Sequence, residues 1–513
     1  MQYKTFSTER SRRAFLSYLK NGLGLSLLPN SLFLASLDAI GGDKLVATEL
    51  ASKEIKYFIE INYRAQVDLG TCFHTPSLAR DYHKLRKEGE FGVAIASEPI
   101  NAGFGNFFLG KYAYEALHPH LENIAYLPTC ECLSLGSVHG HEALGPVRSP
   151  GRSNFGGNGR YFMGEVDTNG HAGGNEIHYS STPTPATFMN HVHKKYNPSI
   201  SNGLIFRSGY TTSNDVFYHH HAGLPGSAQC DRFYDRQSFV NVYGATQRST
   251  APLTQQKHKV FDYLRRVDKT FFSQLIDSQD RIKKHNEDLA YSLKLMQLKR
   301  SGLVPSATEF RLFGEGLGGT LVCEDIDDLD TCTNSNQGFN TGEMLACAAK
   351  LLVSKAVGSV AVDIHVSDMH TVRTDHFLKL QEKTITKQLS RLINYLKRHG
   401  AFENTLILVN TLDGSRSPLR RSTGLNTKNE VLLIGQNVKG GCYGDVSVEG
   451  ETVYYHRPDD NGNPHAVGTS NEDHRILGKD IYKTFAKLAG VPNGELSSFP
   501  DLADARTLDY LIR

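Results

Sequence analysis

The sequence has little excess of charge: 56 basic residues face 54 acidic ones over 513 positions. That balance removes any electrostatic basis for nucleic acid or an anionic membrane surface as partner. No apolar run approaches the roughly 18 residues that would suggest a helix crossing a bilayer, so a multi-span membrane protein is excluded and the mature chain is expected to be soluble or tethered only by its signal. No serine stands in a G-x-S-x-G pattern, which weakens an α/β-hydrolase reading. Cys130 and Cys132 in "TCECLS" have no matching second pair, so they read as part of a half-buried strand rather than as half of a zinc site.

The N-terminus carries a positive signal. "SRRAFLSYLKNGLGLSLLPNSLFLASLDA" places Arg12 and Arg13 before a mildly apolar run interrupted by Pro29 and Asn30. This resembles a twin-arginine export signal, assigned to residues 1–42, and it implies a periplasmic or extracellular location. An oxidising compartment permits the eight cysteines to pair, and Cys323 with Cys332 around "EDIDDLDT" is the first candidate pair.

Residues 43–513 read as one large α/β domain. "KYFIEINY" (56–63) alternates as a strand and the helix-like "PSLARDYHKLRKEG" follows it. Residues 145–230 are rich in Gly, Ser, Asn, Pro and His and read as a long insertion of loops and short strands. Residues 255–300 carry apolar positions at helical spacing and predict a long helix or helical hairpin. The last third alternates: "GEMLACAAKLLVSKA" as helix, "VGSVAVDI" as strand, "DHFLKLQEKTITKQLSRLINYLKRHG" as helix, then "NTLILVN" and "NEVLLIG" as strands. Short apolar strands between helices predict a mostly parallel sheet covered on both faces.

In such sheets ligands gather beyond the carboxyl ends of the strands. Asp68 and Thr71 follow the first strand in "YRAQVDLGTC", Asp363 and His365 close "VAVDIH", and Asn410 and Asp413 stand in "NTLDGSRSP". Carboxylates and imidazoles from separate loops can hold a divalent ion, which would polarise a phosphoryl or sulfuryl oxygen. "SVHGHEALGPVRSPGR" adds His139, His141, Glu142 and Arg148. An imidazole beside a carboxylate can ligate metal or move protons, and an arginine nearby can hold an anion. For each residue singly, loop capping remains the alternative. "GEGLGG" (314–319) fits the dinucleotide glycine pattern but lacks a following helix, and "EDIDDLD" lacks the glycine of a helix-loop-helix calcium site.

Together the arginine pair, "YRAQVDLGT", "ALHPHLENIAYL", "VDIH", "LKRHGAFENTLILVNT" and "LLIGQNVKGGCYGDV" resemble a bacterial family known as domain of unknown function fifteen-oh-one. "VHGHEA" is similar to its relative fifteen-fifty-two. The resemblance implies the alkaline phosphatase and sulfatase superfamily, whose fold is an α/β sandwich with metal ligands at strand ends. On that basis Asp68, Asp363 and His365 match family ligands, Gly414 and Arg416 match a conserved segment, and Asp413 is a shifted substitute for its acid. Two departures stand out. Where relatives carry aspartate-histidine, this chain has "LNTKNEV" with Asn426, Lys428 and Asn429, and "TCFHTP" lacks the cysteine-x-proline-x-arginine of sulfatases. His456, His465 or His474 could replace the missing ligand.

The expectation is therefore an exported, metal-dependent hydrolase of small phosphate or sulfate esters. Asp68, Asp363, His365, Asp413 and His141 would hold a zinc, magnesium or calcium ion, Thr71 would be the nucleophile, and Arg148 or Arg416 would steady the anion. The alternative is a catalytically inactive relative acting in binding or assembly.

Overall fold

The computed structural model describes residues 55–63, 69–87, 97–131, 166–167, 178–179, 183–197, 200–207, 224–225, 228–243, 303–314, 321–323, 332–334, 339–364, 375–411, 428–450, 452–464, 476–502 and 504–513. The chain divides after Glu54. The export-signal expectation and the helix expected over 255–300 lie outside the described residues.

Eight strands form the central sheet: β1 (Tyr57–Tyr63), β2 (Ile124–Glu131), β3 (Leu204–Arg207), β4 (Asp231–Phe233) and, after a separate hairpin of β5 (Leu321–Cys323) and β6 (Cys332–Asn334), β7 (Ser359–Ile364), β8 (Thr405–Thr411), β9 (Lys428–Ile434) and β10 (Gly441–Cys442). Their order is β10-β2-β9-β8-β1-β7-β3-β4. From β8 to β4 every pairing is parallel. Only β9 is antiparallel to both its neighbours, so the expected mostly parallel sheet is present with one reversed strand.

Helices cover both faces. They include α1 (Lys111–Leu117), α2 (Pro185–Tyr196), α3 (Ala307–Phe313), α4 (Thr341–Val353), α5 (Asp375–Arg398) and α6 (Gly478–Leu488). One face of the sheet, with Ile59, Ile61, Val360, Val362, Ile407 and Val409, packs on Met344 and Leu351 of α4 and Ile385, Leu389 and Leu392 of α5. The opposite face, with Phe58, Leu406, Leu408, Val431 and Leu433, packs on Phe188 and Val192 of α2 and Ile481 and Phe485 of α6. Two cores separated by one sheet follow from strands that are apolar on both sides, as buried parallel strands are.

Local chemistry sets the helix limits. Ser306 with Glu309 forms a capping box at the start of α3, and Asn340 with Glu343 does so for α4, each satisfying two otherwise orphaned N–H donors. Past the end of α5 the chain turns at Gly400, φ 64°, a conformation that suits glycine because it has no Cβ.

Two regions differ from the sequence reading. The loop-rich stretch expected over 145–230 contributes α2 and β3, which belong to the sheet and its cover. The helical period of α2 is masked in the sequence because its buried face carries Thr187, Asn190 and His193 among the apolar residues. The helix expected after Pro76 is broken in two, Pro76–Arg80 and Tyr82–Lys87, at Asp81. In the hairpin of β5 and β6, Cys323 pairs in register with Cys332.

Candidate functional site

Strand β1, "YFIEINY", alternates in a way that suggests one solvent-facing side, yet Glu60 and Asn62 are fully buried. They share a face because successive strand residues alternate sides. Parallel register then aligns their neighbours: Asn62 pairs with Asp363 on β7 and with Asn410 on β8. Asp363 in turn pairs with Arg207 on β3, and Asn410 with Val431 on β9. A row near the carboxyl ends of the parallel strands thus reads Val431, Asn410, Asn62, Asp363, Arg207, apolar on one side and polar on the other.

Side-chain hydrogen bonds run along this row in one direction. Asn62 Nδ2 donates to Asp363 Oδ1 at 2.9 Å and to Glu60 Oε1 at 3.2 Å. Asn410 Nδ2 donates to Asn62 Oδ1 at 3.0 Å. A carboxylate can only accept, so Asn62 must turn its amide nitrogen toward Glu60 and Asp363. Its oxygen is then committed to Asn410, which must present nitrogen in turn. Asn410 Oδ1 is left buried with no donor among the described residues reaching it. The other oxygen of Glu60 accepts the Ala186 N–H at 2.8 Å, in the first turn of α2, where a carboxylate complements the helix dipole.

A second carboxylate organises the opposite face. Glu430 of β9 is fully buried. Its Oε2 accepts the N–H groups of Leu69 at 2.7 Å and Gly70 at 3.2 Å, and its Oε1 accepts the Tyr126 hydroxyl at 2.8 Å. Its backbone is held as well, because Glu430 N–H donates to Thr411 Oγ1 at 2.9 Å. Glu430 therefore fixes the helical turn Leu69–Thr71 that follows β1.

Of the residues singled out in the sequence, Asp363 lies where expected, at the end of a central parallel strand and buried. Thr71 is also buried, with Oγ1 3.6 Å from Cys72 Sγ. Leu69 and Cys72, which flank it, pack in the core on the α5 side, the face opposite Asn62 and Asp363. Next to them, burial and then the Cys72 thiol hold the Tyr63 phenol far above its usual pKa. Asp68, His141, Arg148, His365, Asp413 and Arg416 lie outside the described residues. Lys428 and Asn429, at the position of the family's aspartate-histidine pair, open β9 opposite Glu131 and Cys130. His456 is engaged at 2.8 Å with Ser447 in a separate hairpin, and His465 and His474 lie outside the described residues. Cys130 is buried in β2, its thiol donating to the Leu127 carbonyl at 3.5 Å.

Among the described residues no group of three or more His, Cys, Asp or Glu side chains could hold a metal ion. The Asp363 carboxylate and the Asn410 carboxamide oxygen suit a hard cation in kind, but β1 lies between their strands and Asn410 Oδ1 turns away from it, so the two do not converge on one ion. Asn62, with both polar atoms engaged, is not available as a ligand. The sequence does not reveal Asn62, Asn410 and Glu430 as a system. Their only trace is polar residues inside otherwise apolar strands.

No protein-family model matches the chain, and no curated protein matches it in sequence. The resemblance to family fifteen-oh-one therefore rests on the quoted motifs alone. Solved structures similar to it include the lipoteichoic acid synthase LtaP from Listeria monocytogenes, 9% identical over 86% of this chain and 74% of that one, TM-score 0.34. Ps i-CgsB in complex with k-i-k-neocarrahexaose is 10% identical over 89% and 75%, TM-score 0.32. A protein solved under the metabolism of multiple glycosaminoglycans by Bacteroides thetaiotaomicron is 8% identical over 88% and 76%, TM-score 0.33. Likeness of this extent carries no inference about ligand or reaction, which rest on the chain's own residues.

Proposed function

We propose that the chain is an exported hydrolase of small phosphate or sulfate esters, of the alkaline phosphatase and sulfatase type, working in the periplasm or outside the cell with a divalent metal ion. The observation that carries this reading is the position of Asp363. It is a buried carboxylate at the end of a central parallel strand, flanked on the sheet by β1, and β8 lies beyond β1. The loops after all three strands carry the remaining candidate ligands, Asp68, His365 and Asp413, with His141 from the segment after β2. The ion, whether zinc, magnesium or calcium, would supply Lewis acidity at the ester oxygen. Arg148 and Arg416 would hold the anion through charge-assisted hydrogen bonds. Thr71, as the candidate nucleophile, would have to emerge from a turn that Glu430 now holds closed over it.

A second reading is favoured by a specific observation. Two of the three central strand ends present carboxamides, Asn62 and Asn410, and the Glu60 and Glu430 carboxylates accept backbone N–H groups. A relative that kept the fold and lost the chemistry, serving as a binding or assembly component, would have such a row. The two readings separate in one experiment. Protein purified from the periplasm is analysed for metal and assayed against a panel of phosphate and sulfate esters, with Asp363→Asn alongside. Bound metal with turnover that disappears in Asp363→Asn is the expected result. Metal-free, inactive protein would leave the binding reading, and turnover unchanged in Asp363→Asn would remove Asp363 from the site.

A further inference from the structure

Between α3 and α4 the chain forms a hairpin separate from the central sheet, with β5 antiparallel to β6. Its register sets Leu321 opposite Asn334, Val322 opposite Thr333 and Cys323 opposite Cys332. The two cysteines are therefore the pair next to the connection. That connection, "EDIDDLDT" at 324–331, holds eight residues, five of them acidic. Turns of about two to five residues fix a hairpin's register by their own geometry. A connection this long, whose charges are all of one sign and repel one another, does not. Strands of three residues add little, since a two-stranded hairpin alone is marginal in water. The register needs a further determinant.

We propose that Cys323 and Cys332 are oxidised to a disulfide that locks β5 to β6 and closes residues 324–331 into a covalent loop. Residues directly opposite on antiparallel strands have Cα atoms about 4.5 or 5.5 Å apart and share a face of the pair. A disulfide spans Cα separations of about 4.4–6.8 Å, so either kind of antiparallel pair suits the bond without backbone movement. The other described cysteines are poorly placed to compete. Cys72, Cys130, Cys230, Cys347 and Cys442 are buried, and burial pushes the thiols of Cys230, Cys347 and Cys442 up. That suppresses the thiolate which exchange requires. The step balances as thiol–disulfide exchange with a small-molecule or protein disulfide as oxidant. One cysteine thiolate attacks the oxidant and releases one of its sulfurs as a thiol, and the other cysteine attacks the mixed disulfide and releases the second. One S–S bond forms as one breaks, and the two cysteine protons end on the departing thiols. The inference rests on the pairing of β5 with β6 and is independent of the ester-hydrolase reading.

The test is thiol mapping of the full-length protein. Protein purified under reducing conditions is exposed to oxidised glutathione, its remaining thiols are alkylated in denaturant, and it is digested with a protease that cleaves beside aspartate. Cleavage within 324–331 separates the two cysteines, so their peptides stay joined only through a disulfide. Oxidation is expected to remove two alkylatable thiols per chain and to join a Cys323 peptide to a Cys332 peptide in a species that reductant splits. Cys323→Ser should lose the joined species and leave Cys332 alkylated or carrying glutathione. Should Cys323→Ser not fold, the wild-type map decides. Recovery of Cys323 or Cys332 from oxidised wild type in alkylated form, as a glutathione adduct, or linked to another cysteine such as Cys132, overturns the proposal.

Discussion

At Gly110 the backbone passes so close to the Glu382 carboxyl that a Cβ there would overlap both of its oxygens. The closeness serves a purpose, because Glu382 Oε1 accepts the Ala113 N–H at 3.0 Å and Oε2 accepts the Ser97 hydroxyl at 3.2 Å, tying α5 to the start of α1. Burial outweighs these bonds and pushes the Glu382 carboxyl up to about 7. Between about pH 4.5 and 7 the folded chain therefore holds a proton that the unfolded chain has released, so this contribution to stability is full below that range and is lost as pH rises through 7. Glu382→Gln should flatten the dependence of the melting temperature on pH across that window, which a calorimetric series checks. Asn62→Ala acts on the polar row. It would take one hydrogen bond each from Glu60 and Asp363 and leave the Asn410 carboxamide nitrogen without its acceptor, and at about 1–3 kcal/mol for a buried group that loses its partner the loss should exceed that of an ordinary surface truncation in urea unfolding.

Among the elements, α5 carries a feature its sequence conceals. Leu378, Ile385, Leu389, Leu392 and Leu396 form its apolar face, and their spacing makes the helix legible from sequence alone. Gln381, Thr384 and Gln388 flank that stripe, and a reader of the sequence would place them in solvent. All three are buried, and among the described residues both polar atoms of each glutamine and the Thr384 hydroxyl lack partners. Gln388→Leu should therefore raise the urea midpoint, since an apolar group of similar shape removes the desolvation cost. A lower midpoint would refute that account of Gln388. The same blindness explains the rest of what the sequence hides. β1, β7 and β8 are recognisable by their apolar runs, and Asp363 by its place at a strand end. Asn62 and Asn410 become a unit only through register across three strands that are distant in the chain. The reversal of β9 was equally hidden, because an apolar strand reads the same in either direction.

For the molecule as a whole, the sheet with a core on each side accounts for the layers, while the proposed export signal lies outside the described residues. Replacing Arg12 and Arg13 together by lysine is expected to hold the protein in the cytoplasm, as fractionation followed by immunoblotting would report. Normal export of that variant would remove the signal assignment.

The single reversed strand has a practical consequence. The chain departs from the sheet at Thr411 and returns to it at Lys428 along the same border, so residues 412–427 need not traverse the sheet as a crossover does. A peptide tag or a reporter spliced into that interval, clear of Asp413 and Arg416, is therefore expected to leave the strand ladder undisturbed.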